Sequence, residues 1–157
     1  MTTRATDSDP DANLLLSRQL CFALHSTTLA LGRVYARVLA PLGLTYTQYL
    51  AMLVLWETDT VPVKRLGARL MLDSGTLTPL LKRMETAGLV ARRRDPEDER
   101  RVLVTLTQAG AALKEQARDV PLQIAGACRA SGLDLRALKT DLEALRSALG
   151  GTSAPPQ

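Results

Sequence analysis

LDSGTLTPLLKRMETAGLV at residues 72–90, running straight into ARRRDPEDERRVLVTLT at residues 91–107, is the stretch on which the fold turns. Together with the residues just before it, the first half spells a helix, a tight turn, and a second helix with a hydroxyl-rich start. Leu66, Leu70, Leu77, Leu80, Leu81 and Met84 recur at helical spacing and lock the two helices together. Ser74, Thr76, Thr78, Lys82 and Arg83 are left facing outward. Short hydroxyls near a helix start approach base edges and phosphates without steric conflict. Lys82 and Arg83 reach flanking phosphates or guanine edges. The helix N-terminus itself favours a phosphate. The helix starts between Asp73 and Thr76. A cap at Thr76 would put Pro79 in the first turn, where it loses no hydrogen bond, and Gly88 supplies the left-handed stop.

The second half reads as two strands, 90–94 and 101–106, turning through DPED. Arg92, Arg93, Arg94, Arg100 and Arg101 surround Asp95, Glu97, Asp98 and Glu99. Acids at a nucleic-acid-facing tip have a use if Asp98 pins a neighbouring arginine, so that Arg100 is held ready for a narrow minor groove. The alternative is a solvated, salt-bridged hairpin with no partner.

Outward from this centre the chain reads as helix. Its 157 residues suit one domain, and the dominance of Leu and Ala favours helices. Leu20, Leu24, Leu31, Val34, Val38 and Leu42 mark one long amphipathic helix over 14–40, ended by Pro41 and Gly43. Thr45 caps a second helix over 46–57 with Leu50, Leu53, Val54 and Trp56 facing inward. Pro62 opens a third reaching about residue 71. Thr107 caps a fifth over 108–130, bent near Pro121, and a sixth covers 134–149. Residues 1–12 and 150–157 read as disordered tails. The expected fold is mainly α with a small β-hairpin wing. It forms a single domain over 13–149, with a winged helix-turn-helix over about 46–107 flanked by dimerisation helices over about 14–40 and 108–149. The apolar stripes of the flanking helices are wider than the centre can cover, so a homodimer is expected. A monomeric helical bundle is the alternative.

The net charge of +4 permits a polyanion without demanding one, so the placement of arginines carries that argument. Two cysteines without a CxxC pair, and a single histidine, make neither a disulfide framework nor a zinc site. No metal or other cofactor is expected. The polar start lacks a signal-peptide core, and the apolar run at 49–56 is too short to cross a bilayer, so a cytoplasmic protein with reduced thiols is expected.

LDSGTLTPLLKRME followed by DPEDERRVLVTLTQAG resembles the MarR family of winged-helix regulators. The likeness covers residues 14–149. It implies a dimer whose fourth helix reads the major groove and whose wing reaches the minor groove of a pseudo-palindromic operator in double-stranded DNA. It implies Ser74, Thr76, Thr78, Lys82, Arg83 and Arg100 as DNA contacts, with Asp98 and Arg100 as the D-x-R of the wing.

RQLCFALHST, then Tyr35, then LTYTQYLAMLVLW is similar to the OhrR branch of that family. That branch senses organic hydroperoxides through one cysteine near the N-terminus, assisted by two tyrosines. The matching residues are Cys21, Tyr35 and Tyr46; Tyr49 reads as core. On residues alone Cys21 is a small buried hydrophobe, Cys128 an alanine-like helix residue, and His25 a structural or surface residue. Cys21 and Tyr35 share a helix face to within about 40° but stand roughly 21 Å apart along the axis. Tyrosines that assist the thiol must therefore come from the other subunit. Phenols donating to sulfur favour the thiolate, which attacks the peroxide and becomes a sulfenic acid. In the two-cysteine subset a cysteine near position 128 of the partner subunit then captures the sulfenic acid as an intersubunit disulfide.

The resulting expectation is a repressor, not an enzyme, that leaves its operator when Cys21 is oxidised. The rivals are a MarR-type repressor released by a non-covalent aromatic or phenolic ligand, with Cys21 incidental, and a thiol peroxidase.

Overall fold

The computed structural model describes residues 10–150. Most of the two expected tails lies outside that range. Within it, Pro10–Leu14 and Leu16–Arg18 are single 3-10 turns, and the first long helix begins only at Leu20. The helices are α1 (Leu20–Leu39), α2 (Tyr46–Thr58), α3 (Val63–Leu70), α4 (Ser74–Thr86), α5 (Gln108–Ala117), α6 (Val120–Cys128) and α7 (Leu135–Ala148). The strands are β1 (Thr60–Pro62), β2 (Val90–Arg94) and β3 (Val102–Leu106). The expected fold class is what is observed, with one added strand. β1 pairs antiparallel with β3, Val61 opposite Val104, and the sheet order is β1-β3-β2. Three residues, one of them proline, carry no readable alternation.

α2 runs through the centre. Its start is closed by a capping box in which Thr45 Oγ1 accepts the Gln48 N–H at 3.3 Å and Gln48 Oε1 accepts the Thr45 N–H at 2.9 Å. The helix buries Tyr49, Met52, Val54 and Leu55 against Leu39, Leu66, Leu81 and Met84. Leu53, expected to face inward, is 36% exposed, because an apolar stripe that goes nearly round the helix leaves one side without a partner. The helix expected over 108–130 is two helices. Arg118 and Asp119 break it, and Pro121 sits in the first turn of α6, where it loses no bond.

α3 and α4 form the helix-turn-helix. The turn closes with Met71 in the left-handed region at φ 55°, and the Leu72 N–H returns to the Gly67 carbonyl at 2.9 Å. Gly67 permits the close approach, since a Cβ there would lie 3.0 Å from Leu77 Cδ2 and 3.1 Å from the Leu72 carbonyl oxygen. The cap of α4 is Asp73, not Thr76: Asp73 Oδ1 accepts the Thr76 N–H at 2.8 Å. Pro79 therefore lies inside the helix and not in its first turn. It removes the bond to the Gly75 carbonyl, and burial of Leu77, Leu80, Leu81 and Met84 holds the helix regardless.

The wing is welded to α4 and α5 at one joint. Thr107 Oγ1 donates to the Gly88 carbonyl at 2.6 Å and accepts the Gly110 N–H at 3.0 Å, while the Thr107 N–H donates to the Leu89 carbonyl at 3.1 Å. Gly110 packs so tightly that a Cβ would drive into the Leu89 carbonyl oxygen. Between α4 and β2, Glu85 grips Arg92 in three ways: Oε2 accepts Nη2 at 2.7 Å and Nε at 3.0 Å, and Oε1 accepts the backbone N–H at 3.1 Å.

Two outcomes are expected. Gly110→Ala forces a backbone shift and costs about 1–3 kcal/mol, as overpacking does. Chemical denaturation reads this, and a loss under half a kilocalorie, roughly the level of a neutral surface change, refutes the close approach. The Arg92 side chain, with its backbone N–H, also holds the Glu85 carboxyl below its usual range. The stabilisation from that tie is complete above the ordinary glutamate value and disappears as pH falls through the depressed one. Glu85→Gln should thus flatten the acid limb of a melting-temperature profile, and an unaltered limb counts against the tie.

Candidate functional site

All of Ser74, Thr76, Thr78, Lys82 and Arg83 are exposed, on the side of α4 away from its buried leucines. Thr76 has a second task, because its hydroxyl donates to Asp73 Oδ2 at 3.3 Å. The Thr76 N–H holds the Asp73 carboxyl below the usual range. The amino end of α4 thus carries its own capping carboxylate, which takes up the Thr76 N–H.

The tip of the wing is preformed by short polar loops. Asp98 Oδ1 accepts the Arg100 N–H at 3.0 Å, and the Asp98 carbonyl accepts the Arg101 N–H at 2.8 Å. Asp98 therefore fixes the backbone of Arg100 and leaves its guanidinium free to project. Asp95, itself buried, accepts the Glu97 N–H at 3.0 Å and pairs with Arg101 Nε at 3.6 Å. Arg94 Nη1 donates to the Glu99 carbonyl at 3.2 Å. Of the five wing arginines, Arg92, Arg94 and Arg101 have internal partners, and Arg93 and Arg100 have no acidic partner among the described residues. Of the acids at the tip, Asp95 and Asp98 are structural.

Between α3, the start of α4 and the wing lies a groove with an apolar floor that includes Val63, Ala68, Leu77 and Val102. Lys64 and Arg65 of α3 stand on one rim, Arg100 and Arg101 on the other. Sequence reading passed over Lys64 and Arg65, although VPVKRLGARL carried the signal.

The second cluster sits where α1, α2 and α6 meet. The Tyr35 ring lies 4.4 Å from that of Tyr46 and 6.1 Å from that of Tyr49, and Tyr49 is 6.3 Å from Trp56 in an edge-on contact. Tyr49 is buried, as expected of core. Burial pushes the Tyr35 hydroxyl above the ordinary tyrosine value, and Tyr46, Tyr49 and Cys128 push it further. Cys128 is thus a neighbour of Tyr35 within the same chain. Tyr35 and Tyr46 come together with Cys128 near Tyr35, and Cys21 does not join them. It lies exposed in the first turn of α1, at the far end of the helix from Tyr35, with His25 exposed one turn on. Both thiols are free. Among the described residues no three His, Cys, Asp or Glu side chains converge on a metal position, and no single helix is long and apolar enough to cross a membrane.

Known proteins share this architecture. A family model described as transcriptional regulator SarA/Rot matches residues 33–117. An organic hydroperoxide resistance transcriptional regulator of Bacillus subtilis is 50% identical over 137 residues, covering 87% of this chain and 93% of that protein. AbfR of Staphylococcus epidermidis, solved in its reduced form bound to DNA, superposes with a TM-score of 0.70 at 34% identity, covering 86% of this chain and 92% of that one. A MarR mutant from E. coli, solved with operator DNA, superposes with a TM-score of 0.73 at 28% identity, covering 90% and 99%. The chain belongs to the MarR family of winged-helix transcriptional regulators and, within it, to the OhrR branch.

Proposed function

We propose that the protein is a cytoplasmic homodimeric repressor that holds its operator while Cys21 is reduced and releases it when organic hydroperoxides oxidise that thiol. The observation that carries this reading is the separation of parts along α1. The thiol stands at one end, and two phenols in ring contact, with Cys128 a neighbour of Tyr35, stand at the other. One straight helix keeps these groups roughly 21 Å apart. A second copy related by a two-fold axis runs its α1 in the opposite sense and brings each thiol to the other chain's phenols.

The exposed apolar surface fits such a pairing. Leu14, Leu16 and Leu20 before and at the start of α1 are at least 60% exposed, and Leu135, Leu138 and Leu142 of α7 stay open along one stripe. Apolar area of this kind in one chain is an interface in waiting. These are the segments assigned to dimerisation.

The chemistry runs as follows. Tyr35 keeps its proton, since burial and then the neighbouring phenols disfavour ionising it, and Tyr35 and Tyr46 donate to the sulfur of the partner's Cys21. The thiolate attacks the terminal oxygen of ROOH, the O–O bond breaks, and ROH leaves after taking up a proton. The sulfur becomes a sulfenic acid. The Cys128 thiol then displaces water from it and closes an intersubunit disulfide. Cys128 is a neighbour of Tyr35, and bringing the two sulfurs into bonding distance moves the helices that carry them, which re-spaces the two α4 helices. Reading helices must match successive major grooves about 34 Å apart, so a shift of a few ångströms is costly.

On DNA, Ser74, Thr76, Thr78, Lys82 and Arg83 meet the major groove, Arg100 the minor groove, and Lys64 and Arg65 the flanking phosphates. The groove between α3 and the wing, with its apolar floor and cationic rim, favours one second reading: release by an aromatic or phenolic anion seated there without covalent chemistry. The thiol-peroxidase reading gives way to the regulator family.

Cys21→Ser is expected to bind the operator as the unaltered protein does and to ignore cumene hydroperoxide in a mobility-shift assay. Oxidised unaltered protein should run as a covalent dimer on a nonreducing gel, and either Cys21→Ser or Cys128→Ser should abolish that band. Peroxide that still dislodges Cys21→Ser would favour the aromatic-ligand reading. For the backbone contacts, K64A and R65A should each flatten the salt dependence of binding by about 0.9 per lost phosphate contact, so by about two for a dimer. A slope equal to that of the parent removes these residues from the interface.

A further inference from the structure

An unbroken run of contacts leads from the tyrosine cluster to the wing, and it passes through the chain's single tryptophan. Tyr46 and Tyr35 meet at a tilt of 41°, Tyr35 leans on Tyr49, and Tyr49 meets the Trp56 ring edge-on at 6.3 Å. The Trp56 indole Nε1–H donates to the Gly110 carbonyl at 2.9 Å. Lys114 Nζ, one turn further along α5, donates back to the Trp56 carbonyl at 2.9 Å. Gly110 is the residue pressed against the Leu89 carbonyl, at the joint where α4 ends, β2 begins and β3 runs into α5. Every link is packed side chain or a directed hydrogen bond, and the last one reaches a backbone position with no room to give.

We propose that Trp56 is a positioning residue that transmits displacement of the tyrosine cluster to the reading helix and wing. This rests on the cysteine-sensor reading above. When oxidation draws the partner's sulfur across the phenols, Tyr35 and Tyr46 must move with it. The Tyr49 ring, buried between them and Trp56, cannot absorb that movement in a close-packed interior. The indole carries it to Gly110, and Gly110 has no slack against Leu89. The joint therefore shifts as a unit, taking the carboxyl end of α4 and the base of the wing along. A phenylalanine at 56 keeps the edge-on ring contact with Tyr49 and deletes the donor to Gly110.

The test compares unaltered protein and Trp56→Phe side by side, as full-length chains, with three readouts. These are operator affinity when reduced, covalent-dimer formation after cumene hydroperoxide, and operator affinity after oxidation. Trp56→Phe should bind reduced operator within about threefold of the parent and form the covalent dimer normally. Its loss of affinity on oxidation should shrink at least tenfold. A merely structural tryptophan would change the reduced affinity and the stability without sparing the oxidised complex. Lys114→Met serves as the second variant if Trp56→Phe folds poorly, and the same partial uncoupling is expected of it. Full release by oxidised Trp56→Phe or by oxidised Lys114→Met overturns the coupling while leaving the cysteine sensor intact. Unaltered protein that stays on the operator after oxidation overturns the sensor reading, and the coupling falls with it.

Discussion

The close approach of Gly110 to the Leu89 carbonyl is the constraint on which the architecture depends. Three pieces of chain meet there: the end of α4, the start of β2, and the first turn of α5. Thr107 stitches them with three hydrogen bonds, and any side chain at 110 would push them apart. Glu85 and Arg92 add a second tie between helix and wing a short distance away. Helix and wing are consequently one rigid body. Such a body suits a surface that must meet two grooves of one duplex at once, because every independent joint would add ordering entropy to the binding step.

Much of this was legible in the residues. Thr45 and Thr107 cap the helices they were expected to cap, and the hairpin strands fall within one residue of their expected limits. Both signals are local: a hydroxyl before a helix, and alternation around an acidic turn. The misreadings are non-local. Asp73 and Thr76 are both good caps, and the cost of an internal Pro79 argued for the later one. Tertiary burial of four side chains on α4 outweighed that cost. Leu53 looked inward because apolar periodicity cannot tell a core from a surface left for another molecule. β1 exists only because β3 is there to pair with it. Lys64 and Arg65 gain meaning only when the fold sets them across a groove from Arg100 and Arg101.

The wing shows why charge counts misjudge such surfaces. Its five arginines and four acids nearly cancel on paper. In the structure Asp95 and Asp98 are spent on the tip's own backbone, and Asp95 also pins Arg101. Glu97 and Glu99 stay exposed beside Arg93 and Arg100, so the internal bonds decide which charges are tied and which are displayed. A loop with the same composition and no internal bonds would carry a larger ordering cost. The D-x-R spacing matters because two residues is the reach of an Asx turn, in which a carboxylate closes on the second N–H that follows it.

The tyrosine cluster makes a parallel use of proximity. A lone exposed phenol near a thiolate would offer one donor and a wide range of orientations. Three phenols packed at tilted angles have few rotamers open to them, and Tyr46 raises the cost of ionising both Tyr35 and Tyr49. Burial is the larger effect on Tyr35 and acts in the same direction. The group most able to carry negative charge beside them is therefore a thiol, because thiols ionise more readily than phenols. The proposed sensor uses the cluster in this sense, with the partner's Cys21 as its guest. Cys21 cannot reach the cluster along the length of its own α1, and the flanks of α1 and α7 leave apolar surface open, so the proposed second copy of the chain answers both features at once.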